Sequence, residues 1–167
     1  MALRTILKKG DPSLKKKSRE VKDFNERLHR LLDDMKETLE EANGVGLAAP
    51  QVGVLRRVFI VTDFSGEEPK TIEFINPEII EKNGEQIGHE GCLSLPNIWG
   101  IVTRPEYVKV RAQDRNGNFF EIDGTGLLAR AFCHENDHLN GVLFDELADR
   151  FIDEEELEEL REAEAEE

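Results

Sequence analysis

The segment that most constrains this chain is Leu127–Leu139, LLARAFCHENDHL. With Thr125 as its cap and Gly141 after its end, it reads as a helix over Thr125–Asn140. Its apolar residues cover nearly the whole circumference, which places such a helix in the centre of a domain rather than on its surface. Yet His134, Glu135, Asp137 and His138 sit within it. Ionisable groups in buried surroundings need partners or a bound ion. The rest of the chain must wrap this helix and satisfy these groups.

The remaining sequence supplies suitable wrapping. Phe24, Leu28, Leu31, Leu32, Met35 and Leu39 recur at steps of three and four, predicting an amphipathic helix over 24–42 with Asp23 as N-cap and Asn43-Gly44 as its end. Residues 44–53, GVGLAAPQVG, hold three glycines and a proline and predict irregular structure. Arg57–Asp63 is a β-branched strand. Ile72–Ile75 leads to a turn at Asn76-Pro77, and Ile79-Ile80 to another short strand. Tyr107–Ala112 alternates as a half-buried strand does, and Phe119–Ile122 pairs back across the turn Asp114–Asn118. The fold class expected is α+β, with short antiparallel strands around a buried central helix and a further helix at the C-terminus. A catalytic domain over 1–152 and an acidic helical tail over 153–167 are expected, the tail helix at 153–166 being exposed except for Leu157 and Leu160.

The 167 residues fit one domain, and 38% hydrophobic against 35% charged residues is an ordinary globular balance. No apolar run approaches the roughly 20 residues that span a bilayer, and MALRTILKKGDP is a poor secretory signal, so the cytoplasm is the expected location. The net charge of −14 repels nucleic acid and argues against direct DNA binding. The charge is uneven. Seven cations in residues 1–19 face Asp11 alone, while the tail from Asp153 has ten acids and Arg161 alone. The basic segment reads first as a solvated face, with RNA at close range as the other reading. Cys92 and Cys133 are too few and too separated to suggest a structural disulfide.

The pattern His134-Glu135-Asn136-Asp137-His138 carries the chemistry. Helix positions i and i+4 share a face, so both imidazoles can bind one metal ion, and Glu135 can reach a water held there as general base. A catalytic site also wants a third protein ligand and an open position. No histidine follows His138; His29 falls on the exposed side of the first helix, and His89 remains. Cys92, in EGCLSLP, is the better third candidate, although by chemistry alone it reads equally as a small core residue. Cys133 points about 100° away from His134 and reads as core. Gln51, Gly44 and Gly46, taken alone, read as turn residues.

Three blocks in series, Gly44-Val45-Gly46-Leu47-Ala48-Ala49-Pro50-Gln51, Glu90-Gly91-Cys92-Leu93-Ser94 and His134-Glu135-Asn136-Asp137-His138-Leu139, resemble the peptide deformylase family over residues 1–150. The resemblance implies hydrolysis of the formyl group from N-formylmethionyl peptides of newly made proteins, with release of formate. It implies Cys92, His134 and His138 as ligands of one divalent ion per chain, with Glu135 as acid and base. It also implies Gln51 and the Leu93 N–H as oxyanion donors, Gly46 along the substrate path, and a buried Glu90–Arg104 pair. A Cys/His/His/water set suits Fe²⁺, Zn²⁺, Ni²⁺ or Co²⁺, and the family points first to Fe²⁺. The partners implied are formylated nascent polypeptides, met at the ribosome. Where some members carry a glutamate before the first block and an arginine after the second, this chain has Asn43 and Trp99.

Helix spacing adds a pocket for the methionine side chain. Ala131, Arg130 and Leu127 precede His134 by three, four and seven positions. Ala131 would leave room, Leu127 and Val45 would wall it, and the Arg130 stem would join them with its charge reaching water. Plain core packing is the equal alternative for Leu127 and Ala131. Two rivals remain open: a zincin-like peptidase, which needs a third ligand after His138, and a non-catalytic metal-binding paralogue, which needs a broken catalytic set.

Overall fold

In the computed structural model, which describes residues 2–165, β2 (Val58–Asp63) is buried on both faces. Its alternate residues serve two different cores. Val58 and Ile60 meet Leu28, Leu31, Leu32, Met35 and Leu39 of α1 (Glu26–Ala42). Phe59 and Val61 meet Phe132 and Ala129 of α2 (Gly126–Leu139). An uninterrupted apolar strand is what a sheet covered on both sides requires.

That sheet has five antiparallel strands in the order β1-β2-β3-β6-β7, adding β1 (Gly46–Ala48), β3 (Lys70–Asn83), β6 (Tyr107–Gln113) and β7 (Phe119–Thr125). Phe74 of β3 stacks on Phe59 with centroids 4.6 Å apart and takes the edge of Phe132 at 5.3 Å. A second sheet, β4-β5-β8, comprises Gln86–Cys92, Leu95–Arg104 and Arg150–Ile152. It packs through Leu95 and Val102 onto Leu14, Leu143 and Phe144. Between the two sheets α2 is buried along most of its length, as its composition predicts. No helix among the described residues is long and apolar enough to cross a membrane.

Several local expectations differ. The cap of α1 is Asn25, whose side chain accepts the Leu28 N–H at 3.1 Å, rather than Asp23. Thr125 occupies the cap position of α2 without a side-chain hydrogen bond. The pair Asn76-Pro77 does not end a strand. Asn76 takes φ 52° in a bulge, and β3 runs through it. The Asn76 amide is held there by both the N–H and the carbonyl of Val21. The segment 44–53 is a three-residue strand followed by a 3-10 turn over Ala49–Val52. His29 is half-buried, its Nε2 lying 2.7 Å from the Arg115 carbonyl.

The C-terminal helix α3 spans Glu154–Ala165, with residues 166 and 167 of the expected tail outside the described residues. Asp153 caps it by accepting the Glu156 N–H at 2.9 Å, and three glutamates fill its first turn, where the helix dipole favours them. It is not free of the domain. Leu157 is buried, the Arg161 guanidinium lies 5.6 Å from the Trp99 ring, and Glu164 is 3.5 Å from His89.

Candidate active site

Cys92 ends β4, while His134 and His138 lie one turn apart on α2. Their donor atoms all fall within 4.8 Å of one another, and Cys92 Sγ is 3.4 Å from His138 Nε2. Tetrahedral bonds of about 2.3 Å to sulfur and about 2.1 Å to nitrogen would put such atoms about 3.5 Å apart, so the set fits an ion such as Zn²⁺ or Fe²⁺. His138 is buried and its Nδ1 has no partner. Burial and the neighbouring His134 hold its pKa well below the ordinary value, which keeps it neutral as a ligand must be. Cys133 is buried in the core around Phe132, where burial pushes its thiol pKa up, and it is not among the clustered donors.

His134 is oriented from behind. Its Nδ1 lies 2.8 Å from Glu90 Oε1, which leaves Nε2 available to a metal ion. For His134, burial pulls the pKa down, but the hydrogen bonds with Cys92 and Glu90 outweigh it. Glu90 is itself buried and receives Arg104 through both oxygens, at 2.8 and 2.9 Å. Arg130 Nη1 adds a third contact at 2.6 Å, and Asp137 takes the other side of Arg104 at 2.6 Å. Burial pushes the Glu90 carboxyl up, yet the Arg104 and His134 hydrogen bonds and charges hold it well below the usual carboxylate range. The expected Glu90–Arg104 pair is therefore part of a larger network.

Arg130 differs from its expectation. Its charge does not reach water: it donates to Glu90 and to the Val102 carbonyl at 3.1 Å and is only 6% exposed. A buried carboxylate contacted by a histidine draws cations inward. Gly88 makes the space, since a Cβ there would stand 3.1 Å from Arg130 Nη2.

Glu135 is 4% exposed, and its Oε1 has no hydrogen-bond partner. Burial raises its pKa to about 7. Gly46 explains how it fits. A Cβ at Gly46 would lie 2.6 Å from Glu135 Oε2, so β1 presents a bare backbone to the carboxylate.

Gln51 is buried at 1% exposure on the 3-10 turn. Its Oε1 accepts the Ala48 N–H at 2.9 Å, so its amide nitrogen faces the site. That nitrogen donates to Ser94 Oγ at 3.0 Å and lies 3.5 Å from Cys92 Sγ. Leu93 and Ser94 form the two-residue turn between β4 and β5. The N-terminal arm ties these pieces together: Leu7 N–H donates to the Gln51 carbonyl at 2.7 Å, Lys9 N–H to the Ser94 carbonyl at 2.8 Å, and Lys8 Nζ to the Leu93 carbonyl at 3.0 Å. The roles of Ser94 and of this arm, and Arg104 as the partner that Asp137 required, are not foreseen from the sequence. Arg130, an arginine on an otherwise apolar helix, is the available sign that the expected Glu90–Arg104 pair has a further member.

The expected pocket residues are spread more widely. Val45 is half-buried against the core that includes Ala131, while Leu127 is 62% exposed in the first turn of α2.

A family model described as polypeptide deformylase matches residues 3–153. A protein named peptide deformylase from Caldicellulosiruptor bescii is 54% identical over 161 residues, covering 96% of this chain and 95% of that one. Its counterpart from Caldanaerobacter subterraneus subsp. tengcongensis is 53% identical over 162 residues, covering 97% and 99%. The crystal structure of a peptide deformylase from Legionella pneumophila superposes with a TM-score of 0.83 at 46% identity, covering 87% of this chain and 85% of that one.

Proposed function

The chain belongs to the polypeptide deformylase family, and is thus a metal-dependent hydrolase that removes the N-formyl group of newly made polypeptides; within that activity we propose that Cys92, His134 and His138 hold one divalent ion, that Glu135 moves the proton, and that Gln51 with the Leu93 N–H receives the oxyanion. The observation that carries this reading is the convergence of the three donor atoms within 4.8 Å, beside a buried Glu135 and the Gln51 amide.

The ion, when bound, supplies Lewis acidity and lowers the pKa of water from 15.7 towards roughly 7. Glu135, with its pKa raised to about 7, can both accept and return a proton near neutrality. It accepts one from the water that attacks the formyl carbon and delivers it to the amine nitrogen as the C–N bond breaks. The products are formate and a free amino terminus. Charge developing on the formyl oxygen would be met by the Gln51 amide N–H and the Leu93 backbone N–H, each such donor being worth about 10²–10³ in rate. His134 keeps its orientation through Glu90, and Cys92 is carried at the end of a paired strand.

The methionine side chain would enter beside Val45 and Gly46, between Ala131, the alkyl stem of Arg130 and the exposed Leu127 at the rim. We assign Fe²⁺ as the resident ion, with Zn²⁺, Ni²⁺ and Co²⁺ fitting the same donors. The working place is the cytoplasm, on chains still at the ribosome. Formate release from formyl-Met-Ala-Ser by protein purified without oxygen, read beside metal content, tests the whole. The expected result is one ion per chain and turnover that Cys92→Ala abolishes together with the ion. Turnover by a Cys92→Ala protein with full metal would overturn the ligand set.

A further inference from the structure

Away from the metal site, a groove of about 870 Å³ runs between residues 19–25, the first turns of α1 and the turn at 53–56. Its floor is apolar, with Leu28, Leu31 and Val54. Arg19, Lys22, Arg27 and Arg56 line it and are exposed. Among the described residues none of these four forms an ion pair, although Glu20 and Asp23 also line the groove. The other cations of the N-terminal segment are largely occupied: Arg4 with Asp34, Lys8 with the Leu93 carbonyl, Lys9 with Asp145 and Lys15 with Glu146.

In a chain of 36 acidic and 22 basic side chains, four unpaired cations gathered in one groove run against the composition. The backbone aggravates this. Arg19 and Arg56 form a parallel bridge, with the Arg57 N–H donating to the Arg19 carbonyl at 2.8 Å and the Arg19 N–H to the Leu55 carbonyl at 3.0 Å. Like charges on paired positions repel and destabilise the pairing. An anion from outside would relieve that repulsion.

We propose that this groove binds the phosphate backbone of RNA. Three of the four cations are arginines, whose planar forks match phosphate oxygens. Among the described residues no aromatic side chain lines the groove, so bases have nothing to stack on and recognition is of the backbone, independent of sequence. The net charge of −14 repels a long polyanion at a distance, so the contact is local and steeply salt-dependent. The choice of RNA over other anions rests on the deformylase reading, because the substrates of that reaction are borne by ribosomes.

The test is fluorescence anisotropy of a labelled single-stranded 20-nucleotide RNA with the full chain at varied salt. Four phosphate contacts predict that log K falls with log salt at a slope of about −3. Arg19→Ala/Arg56→Ala removes two of the four contacts and should weaken binding and flatten the slope by about half, to about −1.4, and Arg19→Glu/Arg56→Glu should abolish binding. Absence of binding at 50 mM salt, or unchanged binding in both double variants, would overturn the proposal. Equal competition by polyglutamate would overturn it in favour of an acidic protein partner. Formate release from formyl-Met-Ala-Ser should be the same in both double variants. Its absence from the unmodified protein would strike the deformylase reading, which the RNA titration does not address.

Discussion

Glu90 and His134 are joined at 2.8 Å, carboxylate oxygen to Nδ1, and the same carboxylate is gripped by Arg104 and Arg130. A strand residue two positions before Cys92 therefore aims an imidazole on α2 at the place where Cys92 also points. The proposed metal geometry and the core electrostatics thus meet at one buried acid.

Glu90→Gln should consequently damage more than one property. The variant leaves two buried arginines without their carboxylate, and breaking a buried ion pair costs about 3–5 kcal/mol. Chemical denaturation should show a loss of that order, and metal affinity should fall by about 10–100-fold as His134 loses its orienting partner. Unchanged metal affinity in a destabilised variant would limit Glu90 to a stabilising role.

Glu135→Gln keeps shape but cannot accept a proton. With metal content matched to the unmodified protein, kcat for formate release should fall by about 10²–10⁴. Because the proposed mechanism gives one residue both the attacking water and the leaving amine, the upper end is expected. A fall of less than about tenfold would mean that another group carries the proton.

Gly46→Ala should act through Glu135, since the added methyl would stand 2.6 Å from the carboxylate. The expected outcome is normal metal content with kcat reduced by at least about tenfold, a ~1 Å displacement of a catalytic group being costly. Full activity in this variant would show that β1 yields rather than the carboxylate.

Ser94→Ala removes the oxygen that accepts from the Gln51 amide at 3.0 Å. Metal binding and KM should change little, while kcat should fall by about tenfold, part of the value of an oxyanion donor. The side-chain amide NMR signal of Gln51 should broaden or move. An unmoved signal with intact kcat would mean that the Ala48 contact alone holds the amide.

Ending the chain before Asp153 removes α3 with its buried Leu157 and its contacts to Trp99 and His89. These contacts reach the side of β4 away from the ligands, where Gly91 packs against Trp99 while Glu90 and Cys92 face His134 and His138. We expect kcat/KM within a few-fold and a lower Tm. A collapse of activity in a folded truncation would make α3 part of the site.

The periodic elements were legible in the sequence, and the glycine-broken ones were not. Helices α1 and α2 and strands β2 and β6 announce themselves by spacing. Strands β4 and β5 do not, because Gly88, Gly91, Pro96 and Gly100 interrupt any apolar alternation. Two of those glycines exist to admit large side chains, Arg130 at Gly88 and Trp99 at Gly91, so the irregularity is itself a product of tertiary contact. The three clustered donors and the buried Glu135 beside them lie in one helix and one short block, where the sequence already groups them. The roles of Ser94 and Asp137 are not legible there, since each matters through a partner more than 30 positions away.

The N-terminal arm has a mechanical consequence. It is fastened at Ala2 to Asp34 and at Arg4 to Thr38, and then at Leu7 and Lys9 to the carbonyls of Gln51 and Ser94. Force applied at the amino end, by an unfolding machine or an optical trap, would load these few hydrogen bonds in turn and reach both sides of the proposed oxyanion site before it strained the five-stranded sheet. Force applied at the carboxyl end would peel α3 and β8 first and spare Cys92, His134 and His138. The molecule should therefore lose catalysis early when gripped from one end and late when gripped from the other. That asymmetry would also make an amino-terminal fusion a heavier perturbation than a carboxyl-terminal one.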